Sequence, residues 1–475
     1  MKIATTSKPK FSIRPAALAA QSRSAACPRP SAFNARGVVE APAFTLARPS
    51  VDRGGIAFTV HAHPTARGWI AEATWQGLCG HLPADGRYPH TGSKRFATRS
   101  EAVDDALCRG LRQVQDQLGP LVRAPALSNA VQRLQTWMAE AIAQMRANDE
   151  TLPLRGRTVI DLCSGGLGGF GVGLAALGAS VALACEIDPA ARAVYLRNVR
   201  PAKMHNDLCT LDGTRLQCDI LTVGLLCQAF SKAGQRRGFA DPVLANVYTH
   251  TKRLLREIDA KAVVIECARQ FLTQDGGRDA DDVRQLLMQA GYRVQHRTLD
   301  AAGFGLPQSR ERSFIVATRL GLPVDQVLGY VFPAERAPAA VVADIFERGV
   351  PATIASSEIV MHAEGTTRRA AKLAEVGLIG GRDCQGYRVY DPQRGLGATM
   401  TASGGGRAQC TSAYLVDGGA RGLTPREACR MQGLPDWAAH HPVITHALRH
   451  AGNAVAVPVA RELGRQLAGL LGAQR

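Results

Sequence analysis

An α/β fold, a mostly parallel sheet with helices on both faces, is what this chain predicts on three observations. Between residues 157 and 318, short apolar runs alternate with amphipathic stretches, the pattern of strands and helices that buries a parallel sheet between two helical layers. A glycine-rich stretch, DLCSGGLGGFGVGL at 161–174, follows the first of these strands and opens a helix. Glycines so placed let a backbone approach a nucleotide closely. The segments on either side lose the rhythm, so a smaller module is expected before this domain and an irregular region after it.

In chain order, residues 1–50 read as a disordered basic arm rich in Ala, Pro and Ser. Eight basic side chains (Lys2, Lys8, Lys10, Arg14, Arg23, Arg29, Arg36, Arg48) face one acid, Glu40. A transit peptide shares that acid-poor make-up, but amphipathic periodicity is weak here. Residues 51–122 suggest a small α+β accessory module, with alternating strands at 56–60 and 69–75 and an amphipathic helix at 100–118. A linker helix is expected within 123–150, carrying Leu134, Met138, Ile142 and Met145 on one face, spaced for core packing. The main domain, 151–318, shows strands at 159–162, 181–185, 220–223, 262–266, 293–300 and 314–318, with helices after Gly168 and at 243–258 and 280–290. Residues 319–422 carry scattered Pro and Gly and weak periodicity, and 423–475 end in a helix over 455–471 expected to rejoin the main domain. No internal repeat is evident.

Composition narrows the class. A chain of 475 residues with 46% hydrophobic and 20% charged side chains has room for two or three domains and a large core. No apolar run reaches the length of a membrane-spanning helix. Twelve cysteines include no pair at zinc-ligand spacing, so no metal site is expected and reduced thiols are the simplest reading. The formal charge of +17 favours a polyanionic partner.

The chemistry-bearing stretch is GLLCQAFS at 224–231, which sets Cys227 on a tight loop just after an apolar strand. A cysteine alone is more often a small buried hydrophobe, but four further motifs follow in order: IECAR at 265–269, PQSRER at 307–312, LTPREACRMQGLPD at 423–436 and AGNAVAVPV at 451–459. Together these motifs resemble those of the cytosine-C5 DNA methyltransferases, whose PCQxFS, Glu-Asn-Val and QxRxR signatures match with three departures: Leu226 and Ala229 replace prolines, and Cys267-Ala268 replaces Asn-Val.

The resemblance implies a Rossmann-like S-adenosylmethionine-dependent methyltransferase domain with a separate target-recognition region at 319–422, where Thr399-Met400 stands near the expected Thr-Leu. It implies S-adenosyl-L-methionine as cofactor, held by Asp161, Gly165, Gly166, Leu167 and Gly169 of the glycine loop, by Glu186 on the ribose diol, by Asp207 and Leu208 at the adenine, and by Asn453 near the methionine moiety. Without that company, each of these acids reads more readily as a solvated loop residue, and the glycine loop with Glu186 would suit a dinucleotide enzyme.

Cytosine C5 is too weak a nucleophile to take a methyl group unaided. The implied chemistry is therefore addition of Cys227 to C6 of a flipped base, with Glu266 handling the N3 proton and Arg310 and Arg312 orienting base and nucleophile. Gln228 and Ser231 fall to the loop after the cysteine, with Lys232, Arg236 and Arg237 available to phosphates. Double-stranded DNA is the expected partner, a cognate restriction endonuclease a further one, and the expected setting is a monomer in a bacterial or phage-infected cytoplasm, associated with the nucleoid. Two alternatives stay open: an RNA cytosine-C5 methyltransferase, and a catalytically weak or silent DNA-binding homologue.

Overall fold

The computed structural model describes residues 32–33, 39–40, 44–48, 57–65, 68–76, 96, 98–118, 125–147, 149, 151–225, 242–321, 329–361, 380–383, 388–393, 395–402 and 412–472. Residues 1–42 form one unit, in which β1 (Ala32–Phe33) pairs antiparallel with β2 (Val39–Glu40). Ala43–Arg475 form the other.

The larger unit opens with an antiparallel sheet of β3 (Phe44–Arg48), β4 (Ala57–Thr65) and β5 (Gly68–Gln76). Composition assigns Phe44–Arg48 to the arm; the structure corrects this, because the five residues complete a ladder with β4 whose partner only the fold supplies. Phe58, Val60 and Ala62 of β4 and Ala71, Ala73 and Trp75 of β5 are buried at alternate positions, the period-2 signature of one covered face. The cover is α1 (Arg99–Leu118), which brings Ala102, Val103, Ala106, Leu107, Leu111 and Val114 at helical spacing. Gly110 is required in that seam, since a Cβ there would run into the Phe58 ring.

The opposite face of α1 is polar and docks on the rest of the unit. Arg112 pairs with Asp436, Asp104 accepts from Trp437 Nε1 at 2.7 Å and pairs with Arg146 at 2.7 Å, and Glu101 pairs with Arg465 at 2.5 Å. Helix α2 (Pro125–Ala147) buries Leu134, Met138, Ile142 and Met145 as its periodicity predicts. One apolar cluster therefore runs from Phe58 through both helices to Met431, Leu434, Trp437 and Leu448. Asp436 is fully buried at this junction, where Arg430 also pairs with it at 2.7 Å.

A seven-stranded sheet follows, built from β6 (Thr158–Leu162), β7 (Ser180–Cys185), β8 (Lys203–His205), β9 (Gln217–Gly224), β10 (Asp259–Ala268), β11 (Tyr292–Asp300) and β12 (Glu311–Arg319), in the order β11-β12-β10-β9-β6-β7-β8. Strands β10, β9, β6, β7 and β8 are parallel, and β12 and β11 join antiparallel. From β6 the chain winds to β7 and β8 on one side and returns to β9 and β10 on the other. The carboxyl ends of β6 and β9 thus flank a crevice of the kind in which open α/β sheets bind ligands.

Helices α3 (Gly169–Ala175), α4 (Pro189–Asn198), α5 (Pro242–Glu257) and α6 (Arg278–Gln289) alternate with these strands. Separate apolar clusters occupy the two faces of the sheet, one centred on Leu221, Val263 and Leu287, the other on Val159, Ile220 and Leu463. A second, six-stranded sheet is made of β13 (Ile354–Ala355), β14 (Ile359–Met361), β15 (Gly380–Asp383), β16 (Arg388–Tyr390), β17 (Ala413–Val416) and β18 (Gly419–Arg421), ordered β13-β18-β17-β16-β15-β14. The chain then closes with α7 (Pro425–Met431), α8 (Ile444–Asn453) and α9 (Val457–Leu471). Helix α9 lies on α3, and Gly173 makes the approach possible, its missing Cβ position being 2.9 Å from Ala460 Cβ. Among the described residues no helix is long and apolar enough to cross a membrane and no cluster of side chains could hold a metal ion.

Asp436→Ala should destabilise the protein by about 3 kcal/mol in urea unfolding, because the buried Arg430 guanidinium loses its carboxylate. Lys252→Ala, which breaks the exposed pair with Asp282, should cost less than about 1 kcal/mol.

Candidate active site and cofactor pocket

The glycine loop leaves β6 through a left-handed backbone at Cys163 (φ 51°), Gly165 (φ 66°) and Gly168 (φ 66°), the last capping α3. Such dihedrals are costly except for glycine. Gly169 serves another purpose, because a Cβ there would collide with the Val455 carbonyl. The loop is thereby pressed against the segment that follows Asn453, joining the two ends of the family-like motif series. Leu167 is buried beneath the loop.

Asp161 lies 1% exposed and accepts hydrogen bonds from Tyr195 Oη and Thr222 Oγ1, each at 2.7 Å. Burial raises its pKa to about 6 against the opposing pull of these hydrogen bonds, and the Glu186 charge adds to the rise. The carboxyl expected among the cofactor ligands is thus spent on β9 and α4, which fixes the loop's point of departure.

Glu186, at the end of β7, is half-buried; its Oε2 accepts from Gly165 N at 2.8 Å and its Oε1 from Asp188 N at 3.0 Å. Two amides therefore orient the carboxylate at the mouth of the crevice, and its remaining lone pairs suit a diol. The next side chain, Ile187, is 71% exposed, an apolar surface that a flat purine would cover. Asp207 Oδ1 accepts from Cys209 N at 2.8 Å, just past β8, and Leu208 is buried beside it. The glycine loop, the Glu186 carboxylate, the exposed Ile187 and the Asp207 carboxylate lie along one edge of the sheet, and this set of groups fits an adenosine.

Glu266, near the end of β10, is 4% exposed and pairs with Arg312 Nε at 3.2 Å. Burial raises its pKa, with Arg312 and then Arg310 opposing, so protonation of this carboxyl is easier than in water. Gly224 stands opposite Glu266 in the β9–β10 ladder, and Leu225 N donates to Glu266 O at 2.9 Å. Leu226, Cys227, Gln228, Ala229, Ser231, Lys232, Arg236 and Arg237 lie outside the described residues. Cys267 is 1% exposed and shares an apolar cluster with Leu225, which holds its thiol in the core.

Arg310 departs from expectation. Its guanidinium donates to the carbonyls of Met400 at 3.0 Å, Gly452 at 3.1 Å and Ala454 at 2.8 Å. The last two flank Asn453, which is exposed at the end of α8. Arg310 is therefore a positioning residue that holds the Asn453 turn; its main-chain partners leave it poorly placed to meet a base. Sequence reasoning also passed over Gln308 and Gln432, both fully buried: Gln308 Nε2 donates to Met431 O and Gln432 Nε2 to Ala451 O, tying the same turns. The glutamine in PQSRER was visible; its polar type amid apolar motifs was the available signal. His450 was missed as well. It is 3% exposed against Gly166, where a Cβ would sit 2.7 Å from its Nδ1, and burial lowers its pKa to about 4.

Asp161 carries a pH prediction. Its folded pKa, about 6, exceeds the ordinary carboxylate value near 4. Folding therefore favours the protonated form, whose contribution is complete below about pH 4 and is lost as pH rises through about 6. Asp161→Asn, which cannot ionise, should gain on the wild type by roughly 2–3 kcal/mol between pH 4 and pH 7 in chemical unfolding. A difference independent of pH would contradict the shift.

Residues 157–469 match the family model of the C-5 cytosine-specific DNA methylase. The chain is 31% identical over 310 residues to the Type II methyltransferase M.HhaI of Haemophilus parahaemolyticus, covering 64% of this chain and 92% of that protein. It is 30% identical over 328 residues to the Type II methyltransferase M.NlaX of Neisseria lactamica, covering 66% and 97%. Among solved structures, the Entamoeba histolytica methyltransferase EhMeth has the same fold, with a TM-score of 0.50 at 14% identity over 67% of this chain and 99% of that one. The Rossmann-like methyltransferase architecture agrees, and the RNA-directed alternative is not favoured. With the family model spanning the glycine loop, the Glu266–Arg312 pair and the Asn453 turn, the chain belongs to the C-5 cytosine-specific DNA methylase family and is a DNA cytosine-C5 methyltransferase that uses S-adenosylmethionine.

Proposed function

We propose that Cys227 is the nucleophile and Glu266 its acid partner in methyl transfer to a flipped cytosine. The observation that carries this reading is the Leu225 N to Glu266 O hydrogen bond, which starts the Cys227 loop beside a buried carboxyl with a raised pKa. The Cys227 thiolate adds to C6 while Glu266 delivers a proton to N3, leaving an enamine with its electron density at C5. S-adenosylmethionine supplies the electrophilic methyl group that C5 takes up. Loss of the C5 proton to water then drives out the cysteine as the C6–sulfur bond breaks, and the N3 proton returns to Glu266, restoring the ring, the thiolate and the acid. Arg312 holds the Glu266 carboxyl in line, and Arg310 acts through the Asn453 turn.

For the cofactor, Glu186 is assigned the ribose diol, Asp207 and Leu208 the adenine edge and face, and Asn453 the methionine end, with Gly165, Gly166, Leu167 and Gly169 shaping the loop. Residues 319–422 are assigned target recognition and 423–475 completion of the catalytic domain. A monomer acting in a bacterial cytoplasm, with a cognate restriction endonuclease as companion, fits the Type II relatives.

The missing prolines at Leu226 and Ala229 add loop entropy, on the order of 0.4–1 kcal/mol each. Leu225 and Cys267 share one cluster, so the substitutions at Leu226 and at Cys267-Ala268 are read as a coupled rearrangement of the pocket floor. It would suit a modified cytosine, an altered transferable group or slower turnover.

Glu266→Gln should keep DNA affinity while methyl transfer falls by about 100- to 10,000-fold in a tritium-transfer assay. Near-normal turnover would remove Glu266 from the mechanism. DNA carrying 5-fluorocytosine at the target site should become covalently bound to Cys227 when S-adenosylmethionine is present, since fluorine cannot leave as a cation. Cys227→Ser should abolish the adduct and Cys267→Ser should keep it. No adduct with the wild type, on DNA that it binds, would favour the silent homologue.

A further inference from the structure

We infer that Asn246 of α5 is a further cofactor-binding residue, donating from its carboxamide to N7 of the adenine ring. The inference rests on the assignment of Asp207 to the adenine amino group and adds a residue from a different element, outside every motif. Helix α5 presents Asn246, His250, Arg253 and Glu257 on one face, three or four residues apart. That face lies on the segment that follows β8. Arg253 Nη2 donates to the carbonyls of Leu208 at 3.3 Å, Cys209 at 3.4 Å and Leu211 at 2.9 Å. Glu257 Oε2 accepts from Gly213 N at 3.1 Å, and a Cβ on Gly213 would sit 2.9 Å from Glu257 Cβ. The register of α5 on the adenine segment is thus set from Arg253 onward, and Asn246, about two turns earlier, falls at its open end.

There Asn246 Nδ2 donates to Cys209 Sγ at 3.3 Å, while Cys209 N donates to Asp207 Oδ1 at 2.8 Å. Burial and then the Asp207 carboxylate push the Cys209 thiol up, and the Asn246 carboxamide opposes them. One small thiol therefore stands between the two side chains. An ionised carboxylate only accepts, so Asp207 matches the adenine amino group but offers nothing to the neighbouring ring nitrogen, which needs a donor. The N6–N7 edge of adenine sets a donor beside an acceptor, and asparagine is a side chain that complements it. A thiol sulfur is a weak acceptor, so Asn246 Nδ2 exchanges it for a ring nitrogen at little cost. The carboxamide is exposed and open to a ligand. Asparagine within a helix competes with the backbone for hydrogen bonds, so the residue does not serve the stability of α5 itself. Guanine and hypoxanthine keep N7 but carry a carbonyl in place of the amino group, which Asp207 repels; the two residues together read adenine.

The test is calorimetric binding to the full-length protein of three compounds: S-adenosylhomocysteine, its 7-deaza analogue, in which a C–H replaces N7, and its inosine analogue, in which a carbonyl replaces the amino group. The wild type should bind the 7-deaza compound about tenfold more weakly than the parent. Asn246→Ala should bind the parent about tenfold more weakly than the wild type does and no longer distinguish the two. It should melt no lower than the wild type, alanine being the better helix former. Asn246→Asp, which keeps the size but has no N–H to donate, should lose the preference as well. In tritium transfer, Asn246→Ala should raise KM for S-adenosylmethionine with kcat within about twofold of the wild type. The inference is overturned if the wild type binds parent and 7-deaza compound equally, if Asn246→Ala keeps the wild-type preference, or if kcat falls while KM holds. The inosine analogue separates this inference from the assignment of Asp207. Rejection of that analogue that vanishes in Asp207→Ala, without an N7 effect, defeats Asn246 alone; an N7 effect that depends on Asn246, without such rejection, defeats the Asp207 assignment alone.

Discussion

Arg310 donates to carbonyls 90, 142 and 144 residues further along the chain, and the open end of the main sheet is organised around it. Met400 belongs to the stretch that leaves the second sheet, and Gly452 and Ala454 to the turn presenting Asn453. A planar guanidinium with several fixed donors can bridge three such segments at once; a lysine ammonium, compact and strongly hydrated, cannot reproduce that fork. At 2% exposure the charge is held by peptide carbonyl dipoles, with the Glu266 carboxyl close enough to feel it. Removing the side chain would leave three carbonyls short of a donor, each of which is expensive to bury unpaired.

The cofactor loop obeys a related constraint. Its strained turns are tolerable because polar groups beneath them are satisfied internally: Asp161 by Tyr195 and Thr222, Glu186 by Gly165 and Asp188. Close packing of Gly166 on His450 and of Gly169 on Val455 then transmits the position of the last motif directly to the loop. Cofactor pocket and C-terminal turn form one rigid object because glycine permits backbone to lie on backbone.

Much of this was legible in the sequence. Long apolar strands such as β9 and β10 declare themselves by burial on both faces, and the places of Glu186 and Asp207 just past strands were readable from the sequence, whereas Glu266 falls inside β10, two residues before its end. The six strands of the second sheet were not legible, since elements of two to four residues show no periodicity. Arg310 was found as a residue, but its carbonyl partners were not, because they come from segments distant in sequence. His450 and Gln432 carry no motif of their own, and only the folded chain shows what they touch.

The apolar cluster shared by Phe58, Leu107, Met138 and Trp437 separates two meanings of the word domain. Sequence kinship with other methyltransferases begins at residue 157, so an evolutionary boundary falls between α2 and β6. Thermodynamically there is no seam at that point: a chain shortened to its kindred portion would expose Trp437 and Leu448 to water and leave Asp436 without Arg112. The portion that matches the family is thus packed and ion-paired against a module that lies outside the match.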